Sequence, residues 1–113
     1  MSLPQRYADL LASNGLDLQE AFCIADIALD RRSTLHAIDI LAEDGATILG
    51  GDVYLMSSGK LRLALANWYT EALPGESMDS LARRSIAESR QYVTCFEGPD
   101  GEVPYFSLVV DQI

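Results

Sequence analysis

Residues 47–69 carry the pattern of a β-hairpin, and this pattern restricts the fold more than any other part of the chain. Residues 47–56 are rich in strand-forming side chains, and the polar, flexible residues 57–60 suit a turn. The returning segment alternates with a period of two, which puts every second side chain on the same face of a sheet. One face holds Leu61, Leu63, Leu65, Asn67 and Tyr69, and the other holds Arg62, Ala64, Ala66 and Trp68. Because large aliphatic side chains favour burial, we predict that the leucines face the core.

Two helices are predicted before the hairpin. The first covers residues 4–14, and Asn14-Gly15 ends it because both residues tolerate the left-handed conformation that terminates helices. The second begins at Asp30 or Ser33, since either side chain accepts hydrogen bonds from the free amides of a first turn. An apolar stripe continues it to residue 43 and consists of Leu35, Ile38, Leu41 and Ala42.

A long helix and a final strand are predicted after the hairpin. Leu73-Pro74-Gly75 breaks the chain, and Ser77 caps the helix that follows. Its stripe at helical spacing consists of Met78, Leu81, Ala82, Ser85, Ser89, Tyr92, Val93 and Phe96. A turn at 98–101 leads to residues 105–110, whose nearly continuous apolar character predicts a central strand covered on both faces.

These elements predict an α+β fold, in which an antiparallel sheet of about 3–5 strands carries helices mainly on one face. Residues 18–29 remain unassigned, because their pattern fits a short strand, a turn or the approach to a helix. We expect residues 1–113 to form a single domain, since no repeat or linker is visible. With 49% apolar residues, the chain can bury a core without a metal or a disulfide.

The net charge restricts the partners that this chain can bind. Eight Lys and Arg against seventeen Asp and Glu give a net charge of −9. A nucleic-acid binder needs a basic surface to replace condensed counterions, and an anionic membrane attracts basic segments, so neither partner fits. The acidic surface serves either solubility alone or the attraction of a basic partner.

The expected location is the cytoplasm. Residues 1–6 lack the apolar stretch of a signal peptide, and no apolar run approaches the length of a membrane-spanning helix.

Catalytic or metal chemistry finds little support in the sequence. Cys23 and Cys95 lie in apolar runs, which favours buried reduced thiols over a disulfide. The lone His36 cannot complete a zinc site with them, and no nucleophile elbow or phosphate loop is present. Three acids could converge as a carboxylate site, although their spacing does not require it: Asp52, Glu71 and Asp79. We therefore expect no enzyme, no metal and no cofactor.

Two short strings, Gly50-Gly51-Asp52 and Asn67-Trp68-Tyr69, offer candidate structural or binding residues. Gly50-Gly51 permits a bulge or a close backbone approach, and Asp52 after it is either structural or an outward ligand for a partner. Trp68 is an interface anchor if helices cover only the leucine face, and it is a core residue otherwise.

The string from Ile48 to Tyr54 (ILGGDVY), then Asn67-Trp68-Tyr69, then Arg84-Ser85 in a helix and a closing apolar strand resembles the immunity protein 40 family. That family belongs to bacterial polymorphic toxin systems, and the resemblance covers the chain from about residue 20 onward. It implies a cytoplasmic, non-catalytic α+β protein that binds the toxin encoded beside it.

The resemblance supplies no set of contact residues, so the site hypothesis rests on this chain's own strings. A toxin that acts on nucleic acid is basic around its active site, and an acidic inhibitor fits that field. We expect charge from Asp39, Glu43, Asp44, Asp52 and Glu71, and anchors from Tyr54, Trp68 and Tyr69. A small-molecule-binding module with a closed pocket and a dimerisation module with an exposed apolar sheet face are the alternatives.

Overall fold

The computed structural model describes residues 3–24 and 26–111. Its helices are α1 (Gln5–Asn14), α2 (Gln19–Phe22), α3 (Arg31–Glu43) and α4 (Met78–Cys95). Its strands are β1 (Leu16–Asp17), β2 (Ile27–Asp30), β3 (Thr47–Ser57), β4 (Lys60–Tyr69) and β5 (Val103–Asp111). The expected lack of a signal peptide concerns a segment that includes Met1 and Ser2, which lie outside the described residues. None of the described helices is long and apolar enough to cross a membrane.

The strands form one antiparallel sheet in the order β1-β2-β5-β3-β4. The α+β fold is therefore confirmed, and β5 is central as predicted. The unassigned residues 18–29 contain α2 and most of β2. The β3–β4 hairpin turns through Ser58 and Gly59, whose φ values of 51° and 77° are typical of the tight turn that matches strand twist. β4 is left as an edge strand.

The helix boundaries follow from capping, with one correction. The Asp30 side chain accepts a hydrogen bond from the Ser33 amide, so Asp30 is the cap of α3 among the two candidates. The Ser77 side chain accepts one from the Ser80 amide, as predicted. α1 ends at Asn14, but the left-handed stop is wrong, because Gly15 is extended with a φ of −81°. A Cβ at Gly15 would lie 2.1 Å from Cγ2 of Ile27, so this glycine permits close packing of the chain on β2.

The sheet has two unlike faces. The helix-covered face, which carries Val53, Trp68 and Phe106, packs against α1, α3 and α4 in the main core. The next residue after Val53 points the other way, and Tyr54 belongs to a small second cluster with Leu18 and Ala28. We call this second side of β3, β4 and β5 the open face. The prediction of helices mainly on one face is confirmed.

The prediction that the leucines of β4 face the core is wrong for Leu63 and Leu65, whereas the half-buried Leu61 packs against the small second cluster. Ala64, Ala66 and Trp68 pack against the main core, whereas Leu63 and Leu65 are 44% and 88% exposed. Three residues of β4 (64–66) lie opposite Val53 alone, so β4 has two extra residues at this irregularity. Because two is an even number, the side chains on either side of the irregularity keep the same faces of the sheet. The helix-covered face obtains its volume from one large ring rather than from three leucines.

Three smaller expectations also need correction. Cys23 and Cys95 are free as expected, but both are exposed, because Cys23 follows the last turn of α2 and Cys95 ends α4 on its outer side. Met78 is exposed at the start of α4. The covering of both faces of β5 holds only at mid-strand, where Phe106 and Ser107 are buried, and Val109 is about half exposed.

Candidate functional site

Gly51 and Trp68 form a cross-strand pair in which the indole ring lies over the glycine. A Cβ at Gly51 would lie 2.3 Å from the Trp68 ring, and one at Gly50 would lie 2.1 Å from the Trp68 carbonyl oxygen. The pairing of β3 with β5 also shifts by one residue at Leu49. Both expectations for Gly50-Gly51, a bulge and a close backbone approach, are therefore confirmed.

The Trp68 ring is held on the helix-covered face by α4. Its Nε1 donates a hydrogen bond of 3.0 Å to the Ser89 hydroxyl, and its ring stacks on Tyr92 at a centroid distance of 4.6 Å. The Phe106 ring packs edge-on against the indole, with the two ring centroids 6.4 Å apart. Of the two roles considered for Trp68, the structure shows the core position.

Arg84-Ser85 also has a structural role in joining α4 to the sheet. The Ser85 hydroxyl accepts a hydrogen bond from the Ile48 amide next to the Leu49 bulge, and it donates to the Ala82 carbonyl. A bulge leaves ladder groups unpaired, and here a buried hydroxyl takes one of them.

The Arg84 guanidinium fixes the loop between β4 and α4. It forms ion pairs with Glu76 and Glu88 and donates a hydrogen bond of 2.6 Å to the Glu71 carbonyl. Hydrogen bonds from Arg84, from the Leu73 amide and from Ser80 lower the pKa of Glu76 to about 2. The backbone after Tyr69 is thereby held in one conformation.

The open face exposes an unusual amount of apolar surface. Tyr69 is 71% exposed and Leu65 is 88% exposed, and Leu65 also has a positive φ of 56°. The other exposed large apolar residues of this face are Leu63, Val103 and Val109, with Leu49 at the bulge. Several exposed apolar side chains on one face of a sheet mark it as a candidate binding surface.

A shallow dent lies in the open face where β3 has no side chain. Gly50 is paired with Tyr69 of β4 on one side and with Val109 of β5 on the other, and the dent lies among these residues. This Gly50 dent has a volume of about 220 Å³. Its lining residues are Leu49, Gly50, Gly51, Asp52, Asn67, Trp68, Tyr69 and Val109.

The polar wall of the dent is the cross-strand pair Asp52–Asn67. Within the described residues, neither side chain makes a hydrogen bond or an ion pair with another side chain. Their carbonyl and carboxylate oxygens therefore remain available to a binding partner.

The structure brings together only some of the residues predicted for the partner site. Asp52 and Tyr69 share the open face, and the exposed Glu71 lies two residues after the end of β4. Tyr54 lies on the same side but is 4% exposed beneath Phe22, whose ring centroid is 5.2 Å from its own. Burial, and to a smaller degree the negative charge of Asp52, raises the pKa of the Tyr54 phenol.

The predicted acids of α3 lie in the helical layer, on the other side of the sheet. Asp39 forms an ion pair with Arg90, and Glu43 forms one with Arg6 at 2.8 Å. Asp44 is exposed after the end of α3. The structure does not join these three acids and Asp52 in one surface.

The sequence pattern did not indicate several residues of the open face. Leu63 and Leu65 were predicted in the core, and Asn67 and Val109 were given no role. The available signal was the Gly50-Gly51 pair, because glycines inside a strand often mark a bulge or a site where a ligand or another backbone approaches closely.

Most basic side chains form ion pairs or hydrogen bonds with other residues of the same chain. Of the eight, Arg6, Arg62, Arg84 and Arg90 form ion pairs, and Arg31 donates to the carbonyls of Val93, Thr94 and Phe96 at the end of α4. The excess of acids therefore dominates the surface field.

The acids considered for a carboxylate site do not all converge in the structure. Among residues 3–24 and 26–111, no group of three or more His, Cys, Asp and Glu side chains is placed to hold a metal ion. Asp79 belongs to the first turn of α4 in the helical layer, so it does not join Asp52 on the open face. His36 is exposed on α3.

A family model described as Immunity protein 40 matches residues 16–110, which is most of the chain. Comparisons with curated proteins and with solved structures gave no significant match.

Proposed function

The chain belongs to the Immunity protein 40 family, and from this premise we propose that it binds a bacterial toxin and neutralises it without chemistry of its own. The partner is the toxic domain of a polymorphic toxin encoded beside it. The protein acts in the bacterial cytoplasm, where it binds the surface through which the toxin acts on its target.

The open face is the observation that carries this proposal. It combines an exposed aromatic residue, Tyr69, with exposed aliphatic residues on three neighbouring strands. Tyrosine is enriched among residues that dominate binding energy, and its rigid ring loses little entropy when it is buried. We therefore assign the toxin contact to Asp52, Tyr69, Glu71 and the apolar residues around them.

The charge distribution supports a basic partner such as a nuclease domain. A toxin that cuts nucleic acid carries basic side chains where the phosphates bind, and the net charge of −9 favours encounter with that surface. Asp39, Glu43 and Asp44 lie in the helical layer, so we assign them to long-range attraction rather than to contact. Trp68 supports this surface from the helix-covered face, whereas Tyr54 lies on the open face but is buried beneath Phe22.

Capture from the native bacterium, with the tagged protein as bait, tests the proposal. We expect one dominant partner whose C-terminal domain stops growth when expressed alone and is harmless when co-expressed with this protein. The double variant Leu65→Asp, Tyr69→Asp is expected to lose both capture and rescue. Met78→Asp is the matched control, because Met78 is equally exposed but begins α4 in the helical layer.

Two results would contradict the proposal. Recovery of the bait alone, with no growth rescue, would remove the toxin from consideration. Capture that is lost in Met78→Asp but retained in the open-face variant would move the contact to the helical layer.

Self-association is the second candidate function, because an exposed apolar sheet face is also what a dimerisation module presents. Two copies each carry a charge of −9, and this repulsion opposes a homodimer. Analytical ultracentrifugation separates the candidates. We expect a monomer at physiological salt, whereas a dimer abolished by the open-face double variant would favour self-association.

A further inference from the structure

We propose that the Gly50 dent receives an arginine side chain of the toxin, and that Asp52 and Asn67 bind its guanidinium group. This inference rests on the proposed function and names the chemistry that the partner brings to this point of the open face.

The shape of the dent suits one long side chain. The dent is lined by Tyr69 on β4 and Val109 on β5, and its volume is about 220 Å³. Leu49 at the bulge adds a third apolar wall. A ligand in the dent has both apolar walls and the polar pair Asp52–Asn67 within its lining, and arginine combines an aliphatic stem with a charged head.

The polar end of the dent offers acceptors that the fold itself does not use. Asp52 and Asn67 face each other across β3 and β4, and within the described residues their side chains have no hydrogen-bond or ion-pair partner. Aspartate and asparagine are disfavoured in strands, so strand formation does not account for their presence here. Asp52 is only partly exposed, and a partly desolvated carboxylate attracts a cation more strongly than one in bulk water does.

Arginine fits this arrangement better than lysine does. The planar guanidinium can donate two hydrogen bonds to the Asp52 carboxylate and a further one to the Asn67 carbonyl. Its flat surface can also stack on the exposed ring of Tyr69. A lysine ammonium is more strongly hydrated and cannot make the bidentate contact.

An NMR titration of the ¹⁵N-labelled protein with N-acetyl-arginine methylamide tests the assignment without the toxin. We expect saturable shifts in the millimolar range at the amides of Gly50, Gly51, Asp52 and Asn67. Asp52→Asn keeps the shape of the side chain and removes its charge, and we expect it to weaken binding about fivefold. Asp100→Asn removes the same charge from the turn before β5 and is expected to leave binding unchanged.

Each remaining outcome overturns a defined part of the inference. Equal binding of N-acetyl-lysine methylamide would show that the dent takes any cation and overturn the assignment to arginine. Equal binding of N-acetyl-norleucine methylamide, or binding that Asp52→Asn does not weaken, would overturn the role of Asp52. The absence of saturable shifts would overturn the pocket.

The titration separates this inference from the proposed function. If the protein rescues growth from a captured toxin but does not bind the arginine probe, the proposed function is supported and the arginine pocket is overturned. A protein that binds the probe but captures no toxin keeps the pocket and loses the function.

Discussion

Trp68 and Tyr69 are neighbours in the sequence, yet the fold treats them in opposite ways. The Trp68 ring covers Gly51, stacks on Tyr92 and donates a hydrogen bond to Ser89. Tyr69 is 71% exposed, and within the described residues its ring makes no hydrogen bond or ring contact. One strand therefore carries the scaffold on one face and an unused aromatic surface on the other.

The difference extends to the residues around each ring. Side chains from β5 and α4 surround Trp68 above Gly51 of β3, and Ser85 and Arg84 join the same helix to the hairpin and its following loop. The surroundings of Tyr69 are the Gly50 dent and the unpartnered pair Asp52–Asn67. A side chain that stabilises the fold has its contacts already made, whereas one that serves binding does not.

The largest expected effect is a loss of stability in Trp68→Ala. This change removes the ring contacts and the bond to Ser89, and it should lower the free energy of unfolding by about 3 kcal/mol. Urea denaturation followed by circular dichroism measures it. Trp68→Phe keeps a ring and loses the hydrogen bond, so about half of the loss should return. A loss below about 0.5 kcal/mol in Trp68→Ala would place Trp68 with the surface residues.

The second effect concerns binding rather than stability. Tyr69→Ala should change the free energy of unfolding by less than about 0.5 kcal/mol, because the side chain has almost no contacts to lose. It should weaken toxin binding about 30-fold if Tyr69 is an anchor of the interface. Isothermal titration calorimetry with the toxin domain measures the second quantity, and Tyr69→Phe is the control that retains the ring. Destabilisation equal to that of Trp68→Ala would erase the contrast between the two residues.

Leu65→Gly should produce a smaller effect of the opposite sign. Leu65 combines a φ of 56° with 88% exposure, and a glycine there relieves the cost of the left-handed conformation. After the extra chain entropy of glycine is subtracted, we expect a gain of about 0.5 kcal/mol in stability. Leu63→Gly, in strand without a positive φ, should instead lose about 1 kcal/mol. Toxin binding that weakens while stability rises would show that Leu65 is retained for the interface.

The smallest effect is expected at acid pH, in the loop that follows Tyr69. The folded protein lowers the pKa of Glu76 from 4.5 to about 2, so the ionised group stabilises the fold above pH 4.5. That contribution is lost as the pH falls from 4.5 through 2. Thermal denaturation of the wild type and of Glu76→Gln should therefore show a difference in Tm at neutral pH that shrinks as the solution is acidified. A difference that is independent of pH would mean that the Glu76 charge does not hold the loop.

The sequence predicted the order of the main elements, because local signals determine them. The caps at Asp30 and Ser77, the turn after β3 and the apolar run of β5 each depend on a few neighbouring residues. The bulge at Leu49, next to Gly50-Gly51, was also predictable, since glycine weakens a strand interior and often marks a bulge or a close backbone approach.

The orientation of β4 was not predictable from its own pattern. Period-two alternation separates two sets of side chains, but which set is buried depends on the elements that cover the sheet. The leucines have the greater apolar area, yet the covered set is the one with Trp68, because Gly51 and α4 provide a place for its ring. The dent was not predictable either, because its walls come from three different strands whose pairing the local sequence does not determine.

The contact between Gly51 and the Trp68 ring has a consequence for how this family diversifies. A side chain at position 51 would collide with the indole, so a replacement there requires a smaller residue at 68, and the two positions should covary among relatives. Gly51, Trp68 and Ser85, which belong to the strings that carry the family resemblance, are therefore framework residues. On the proposed toxin contact, target choice is expected to depend on exposed open-face positions outside those strings, such as 65 and 109, so two relatives with the same signature are expected to bind different toxins.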